Sequence, residues 1–161
     1  MRTVIANRLR CWWFYTYACY RGTGGRVKFV APDWSEVRLE LPLSWRTRNY
    51  VGTIFGGSIY GAVDPIYMIM MIKRLGDGYR VWDKTARIDF VKPGRSKLSA
   101  RFEVPNAELA AIREALGRER SALRTYSVDL VDSRGEVCAR VEKVLYFKRN
   151  QPSPPGVSSS S

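Results

Sequence analysis

The segment GTIFGGSIYGAVDPIYMIMMIKRLG, residues 52–76, sets one carboxylate, Asp64, in a run that is otherwise apolar or small up to Lys73. Taking water from a lone carboxylate is costly, so such a residue is expected there only if it is paired, protonated or near water. Two kinds of chemistry suit it. As a general base Asp64 would take a proton from water; as a nucleophile it would form a mixed anhydride with an acyl group. Apolar surroundings would raise its pKa. Gly57, seven residues earlier, and Gly56 beside it stand where a helix would begin. Free amides at a helix N-terminus can hold negative charge developing on a carbonyl oxygen, and glycine lets the reacting group approach closely. Asp64, Gly57 and Gly56 are therefore the candidate catalytic residues.

Each has a duller reading. Gly56, Gly57 and Gly61 would also permit close packing of helix on sheet. Asp64 would also serve as a buried structural acid paired with Arg87, Lys84 or an arginine of a second copy. Asp83 and Lys84, adjacent in VWDKTARIDF, fall on opposite faces of a strand, so at most one of them faces a cleft beside the helix. Ser58 has no base partner in sight and reads as an ordinary helix-start serine. The chain contains no histidine, which removes Ser-His-Asp and Cys-His catalysis and most catalytic zinc sites. Cys11, Cys19 and Cys138 form no CxxC pair, so neither structural zinc nor another metal is expected, and a reducing compartment is the simpler assumption.

The elements that must position these residues follow from periodicity. RVKFVAPDWSEVRLELP reads as a hairpin, RVWDKTARIDFVKPG and KLSARFEV as two strands joined at Pro93-Gly94, and RTYSVDLVDSRGEVCARVEKVLYFKR as a long hairpin turning at DSRG. That makes about six strands. NAELAAIREALG predicts a short amphipathic helix with Asn106 as N-cap, Leu109, Ile112 and Leu116 on one face, and Gly117 as terminator. From Ile59 to Ile72 the opening segment is apolar almost all round, so its helix must be buried on most sides. A curved antiparallel sheet wrapped around a long central helix, an α+β architecture, satisfies both patterns. Pro65 should kink that helix, unless Asp64 is the N-cap of a shorter one. Seven helical residues place Gly57 and Asp64 on one face but about 10 Å apart along the axis. A site using both would take one of them from a second copy of the chain.

The 161 residues fit one domain, with residues 1–21 as an N-terminal aromatic helix, 22–149 as the main domain and 150–161 as a disordered tail. Lys and Arg number 27 against 15 Asp and Glu, a net charge of +12. A generally basic solvated surface or an anionic partner explains this equally: nucleic acid, a membrane surface, or a phosphorylated ligand. In the N-terminal run MRTVIANRLRCWWFYTYACYRGTGG the aromatic block of ten residues lacks an Ala-x-Ala-like cleavage site and is too short to span a bilayer. Its helix either packs against the core or another subunit, or lies on a membrane interface through Trp12, Trp13, Phe14, Tyr15 and Tyr17 beside Arg8 and Arg10.

A Gly-Thr-x-x-Gly-Gly segment entering the central helix, with an acidic residue seven positions after the second glycine, resembles the hotdog-fold acyl-CoA thioesterases of the phenylacetic-acid-degradation type. The resemblance covers residues 22–148. More narrowly, RNYVGTIFGGSIYGAVDPIYMIMM, VWDK and KPGR are similar to a bacterial hotdog domain family of unknown function grouped with tetrameric acyl-CoA thioesterases. It implies a hotdog fold, hydrolysis of an acyl-CoA thioester, and a homodimer or homotetramer whose sites are shared between protomers. Coenzyme A enters only as part of the substrate, with its phosphates on the basic surface. Asn49, Phe55, Ser58, Tyr60, Tyr67, Met68 and Lys84 are the expected substrate-binding residues, with the acyl chain along Tyr60, Tyr67 and Met68. Phe55 stands where these thioesterases commonly carry His. A catalytically silent hotdog protein binding an acyl-thioester or other apolar ligand is the second reading. A basic nucleic-acid-binding protein, for which no motif is present, is the third. A cytoplasmic location is expected.

Overall fold

The computed structural model describes residues 2–150; the tail expected to be disordered lies, from residue 151 on, outside the described residues. Along the chain run α1 (Arg2–Phe14), α2 (Ala18–Thr23), β1 (Arg26–Val30), β2 (Glu36–Leu41), α3 (Gly56–Val63), α4 (Ile66–Leu75), β3 (Tyr79–Phe90), β4 (Leu98–Glu103), α5 (Asn106–Arg118), β5 (Ser121–Val131) and β6 (Val137–Arg149). The six strands form one antiparallel sheet in the order β1-β2-β4-β5-β6-β3. It wraps the α3–α4 helix as the alternation requires. Val37, Leu39 and Leu41 of β2, Ala100 and Phe102 of β4, and Val141, Leu145 and Phe147 of β6 face inward on Ile59, Ala62, Val63, Ile66, Met70 and Met71. This is the hotdog fold.

Local chemistry explains where the central helix breaks. Pro65 has no amide to donate to Gly61, so the ladder is interrupted and two helices form, with Asp64 and Pro65 between them in right-handed helical conformation. The kink expectation holds, and the alternative of Asp64 as the N-cap of a shorter helix does not. Gly76, at φ 79°, ends α4 as expected after the basic residues Lys73 and Arg74.

Three expectations change. The strands joined at Pro93-Gly94 are not neighbours: β3 crosses to the far edge and pairs with β6, while β4 lies between β2 and β5. Helix α5 takes Pro105 as its N-cap and runs through Gly117 to Arg118, although Leu109, Ile112 and Leu116 are its buried face. The fixed φ of proline suits the start of a helix, and glycine near the last turn costs little where the end is solvated. The N-terminal helix is two helices, broken at residues 15–17, where the Tyr15 amide bonds Trp12 O at 2.8 Å and the Thr16 hydroxyl donates to Trp13 O at 2.7 Å.

Helix α1 covers the β1 edge of the sheet. Asn7 takes the Val30 amide on its Oδ1 at 2.9 Å and donates to Lys28 O, and Arg10 Nε donates to Val30 O at 3.1 Å. Side chains thus occupy ladder groups that would otherwise template another strand. Behind α1, Trp13, Phe14, Tyr20 and Trp34 form an aromatic cluster, and the Lys73 ammonium sits 5.2 Å from the Trp13 ring. Helix α2 reaches α3 through the Tyr20 hydroxyl, which donates to Ala62 O at 3.2 Å. At the neighbouring Gly25 a Cβ would stand 2.8 Å from that of Ala62, so only glycine fits the crossing.

Candidate functional site

The inward face of β6 reads Ala139, Val141, Lys143, Leu145, Phe147, so the strand's own alternation drives one lysine into the core, with its side chain 1% exposed. Its ammonium ends at the break in the central helix. Lys143 Nζ donates to Asp64 O at 2.8 Å, the carbonyl beside the break, and to Asp64 Oδ1 at 2.5 Å. It lies 2.9 Å from Asp83 Oδ1, an ion pair, and 5.6 Å from the Tyr60 ring centroid. The Tyr60 hydroxyl donates to Asp64 Oδ1 at 2.7 Å. One buried ammonium therefore gathers two carboxylates and a phenol. Burial raises the Tyr60 pKa, and its bond to Asp64 raises it further, so the phenol stays a donor. Burial likewise pushes Asp83 above the ordinary carboxylate range; the charge on Asp64 adds to this, while Lys143 opposes it.

Asp64 is held at one oxygen only. Oδ1 accepts from both Tyr60 and Lys143, whereas Oδ2 has no hydrogen-bond partner among the described residues, and the side chain is 42% exposed. Asp64 lines a cavity of about 480 Å³ between the N-terminal helices and the α3–α4 junction, whose other walls include Trp13, Tyr17, Cys19, Gly61 and Met68. The charge that looked anomalous in the sequence is thus paired from the sheet and still open to an apolar space. Lys143 takes the place of the two partners expected within the chain, Arg87 and Lys84. Arg87 pairs with Asp89 on the outer face, and Lys84 is exposed at the bulge that interrupts the β3–β6 register.

The helix N-terminus makes a second, separate site. Phe55 N donates to Thr47 O at 2.7 Å and Ile54 N to Gly94 O at 2.9 Å, fixing the loop before α3. Gly56, Asn49, Thr53, Phe90 and Lys92 border a cleft of about 340 Å³. Aromatic rings flank the glycines closely: a Cβ on Gly56 would stand 2.8 Å from Phe90 Cζ, and one on Gly57 2.3 Å from Phe55 Cε1. The room left by the missing side chains is therefore taken by the chain's own rings, where an approaching acyl group was expected. Asn49 is engaged as well. Its amide donates to Thr53 Oγ1 at 2.9 Å and accepts from Thr53 N at 3.0 Å, so it holds the loop.

Of the expected binding residues, Tyr60 and Met68 come together with Asp64. Tyr67 does not: its ring is buried, stacked on Tyr126 and edge-on to Phe102, and its hydroxyl donates to Ser127 O at 3.0 Å. A phenol near the middle of an all-round apolar helix packs into the core when a backbone carbonyl there accepts its proton. Ser58 is buried in the first turn of α3, Phe55 is exposed beside Gly57, and Lys84 points to solvent. Of the adjacent pair Asp83 and Lys84, Asp83 faces the helix. Lys143 is the residue the motifs missed, although a lysine at an apolar position of an alternating strand is a readable signal. Among the described residues no cluster of His, Cys, Asp and Glu could hold a metal.

No match to a curated protein was found. Among solved structures the chain is similar to PA5026 from Pseudomonas aeruginosa, a protein of unknown function described as a probable thioesterase, with a TM-score of 0.80 and 16% identity over 89% of this chain and 95% of that one. It is also similar to thioesterase HI1161 from Haemophilus influenzae, with a TM-score of 0.63, 15% identity and coverage of 89% and 88%. The PaaI protein of E. coli, from the phenylacetic acid degradation operon, matches with a TM-score of 0.61, 14% identity and coverage of 91% and 92%. At these identities the likeness is one of fold. The family model described as domain of unknown function DUF4442 matches residues 7–147, and the chain belongs to that family.

Proposed function

We propose that this protein hydrolyses acyl-CoA thioesters, with Asp64 as the general base or nucleophile. The observation that carries this reading is the state of Asp64: one carboxylate oxygen is fixed by Lys143 and Tyr60, the other has no partner among the described residues, and the residue lines an apolar cavity. A carboxylate so oriented loses no rotamer freedom on reaction. Acting as base, Asp64 takes a proton from water as the water oxygen adds to the thioester carbon. The C–S bond then breaks, and the proton passes to the departing thiolate, leaving a carboxylic acid and free coenzyme A. The amides at the start of α3, around Gly56 and Gly57, are the donors for the oxyanion.

Asp64 and Gly56 open on different cavities of one chain, which supports the sharing of each site between two copies. Strand β3 is an edge of the sheet, twelve residues long, with Ala86, Arg87 and Phe90 exposed, and offers a seam for a homodimer from which a homotetramer could be built. The thioesterase descriptions of the structural neighbours point the same way. A second reading, a catalytically silent protein that binds an acyl-thioester or another apolar ligand, draws on Phe55 beside Gly57 and on the ammonium already bound to Asp64. The same proposal places the protein in the cytoplasm, which suits its three free cysteines.

Asp64→Asn tests the proposal. The amide keeps the size and an acceptor for Tyr60, and Lys143 keeps Asp83 as counterion, so no buried charge is stranded. Turnover of acyl-CoA, followed by free-thiol release across a panel of chain lengths, should fall about 10²-fold or more, with melting temperature and acyl-CoA binding little changed. Unchanged turnover rejects the role of Asp64. A wild-type protein that binds an acyl-CoA but releases no thiol establishes the silent reading instead.

A further inference from the structure

The outer face of α1 has no partner among the described residues and is apolar. Ile5, Leu9 and Trp12 lie at i, i+4 and i+7, one stripe of a helix, and are 52%, 63% and 64% exposed; Val4 beside them is 63% exposed. The opposite face carries Asn7, Cys11 and Phe14 onto β1 and the core, so α1 is apolar on both sides. By sequence α1 carries basic residues and no acidic one, and the first acid along the chain is Asp33. Arg8 is exposed next to Leu9 in the stripe.

We propose that α1 docks the protein on an anionic lipid bilayer, lying in the interface with Ile5, Leu9 and Trp12 in the acyl boundary and Arg8 at the headgroups. An amphipathic contact of this kind needs apolar area and basic charge together, and α1 supplies both with no acid to oppose them. A second copy suits the stripe poorly, because pairing two α1 helices would bring together basic residues with no acid on either helix to offset them. Insertion across the bilayer is not involved; no described helix is long and apolar enough to cross a membrane. The contact also has a use. Trp13 of α1, Tyr17 of the break and Cys19 of α2 line the cavity that holds Asp64, so α1 docked on a bilayer brings one wall of that cavity near the lipid.

The test is flotation of the full-length protein with vesicles of phosphatidylcholine alone and of phosphatidylcholine with one quarter phosphatidylglycerol. Binding to the anionic vesicles alone, weakened by salt, is expected. Ile5→Gln/Leu9→Gln/Trp12→Gln, all at exposed positions, should weaken it about tenfold or more with an unchanged melting temperature. Arg8→Gln should weaken it about fivefold, the scale of one basic residue at an anionic surface. Failure of the wild type to float with anionic vesicles overturns the proposal. So does equal flotation with both compositions, or a triple variant that floats like wild type. A triple variant whose mass in light scattering falls to that of a smaller oligomer, with no vesicle binding by wild type, assigns the stripe to a second copy instead.

Discussion

At the scale of single residues, Lys143 decides the behaviour of the site. Its ammonium neutralises one of two carboxylates brought together in a half-buried space, and it bonds the helix backbone at its break. Lys143→Met would keep the volume and leave Asp64 and Asp83 facing each other without a cation, a loss of about 3–5 kcal/mol at neutral pH. The sign of the pH dependence follows. Asp83 already titrates above the ordinary value through burial, and removing the lysine removes the one influence that lowers it. A raised carboxylate contributes stability below its unfolded pKa and loses it as pH rises through its folded one. The variant should therefore regain stability on acidification from about pH 7 to about pH 5, as its folded-state carboxylates take up protons. Denaturant titrations of wild type and variant at both pH values measure this. A deficit that does not change with pH would show that the carboxylates are separated by water rather than held together by the lysine.

At the scale of elements, the sheet has two edges and treats them differently. Strand β1 is closed by Asn7 and Arg10 of α1, and β3 is left open. Asn7→Ala would leave the Val30 amide, on a fully buried residue, without its acceptor, at a cost of about 1–3 kcal/mol. It should also raise aggregation on heating by freeing the edge, as light scattering through the thermal transition would report. An equally stable, equally soluble variant would mean that Arg10 alone secures the edge. Strand identity and the helix break at Pro65 were legible in the sequence, because alternation and a missing amide are local properties. Strand order was not, since pairing β3 with β6 is a choice among distant partners. The break between α1 and α2 carries no Gly or Pro signal, only aromatic residues that turn inward to find one another. Lys143 was legible in principle: a lysine in the inward register of Ala139, Val141, Leu145 and Phe147 demands a buried anion, and Asp64 demanded a cation. Neither residue shows by spacing that the two are partners. Lys84, by contrast, was expected to bind substrate, and the strand register that turns Asp83 to the helix leaves it in solvent.

For the whole molecule, acid should be the weak side. On the outer surface, side-chain bonds from Arg101 and then Arg38 hold Glu36 below its ordinary pKa, a side-chain bond from Arg140 does the same for Asp129, and the amides of Glu136 and Arg134 do so for Asp132. Lowered carboxylates contribute stability above their unfolded values and lose it as pH falls through the folded ones. Asp83 opposes them, gaining as it is protonated. The melting temperature should fall on going from about pH 5 to about pH 2, and Asp83→Asn, which removes the opposing group, should make the fall steeper. A profile that is flat, or no steeper in the variant, would show that these pairs are as strong in the unfolded chain. Net charge works in the same direction, since a protein already at +12 gains only repulsion from further protonation.

The bond from Lys143 to Asp64 O has a mechanical side. An interior strand, gripping the backbone of the central helix at its one discontinuity, fixes the α3–α4 wall of the Asp64 cavity to the sheet. The remaining wall, α1 with α2, rests on the sheet edge and on an aromatic cluster, contacts that can open without unfolding the core. Breathing of the cavity thus belongs to the N-terminal helices, and the rate at which they swing limits how fast a ligand enters or leaves. In hydrogen exchange, amides of α1 and α2 should exchange through a local opening well before those of α4 and β6, and a ligand in the cavity should slow the first group while leaving the second unaltered. Uniform exchange across all four elements would place the hinge elsewhere.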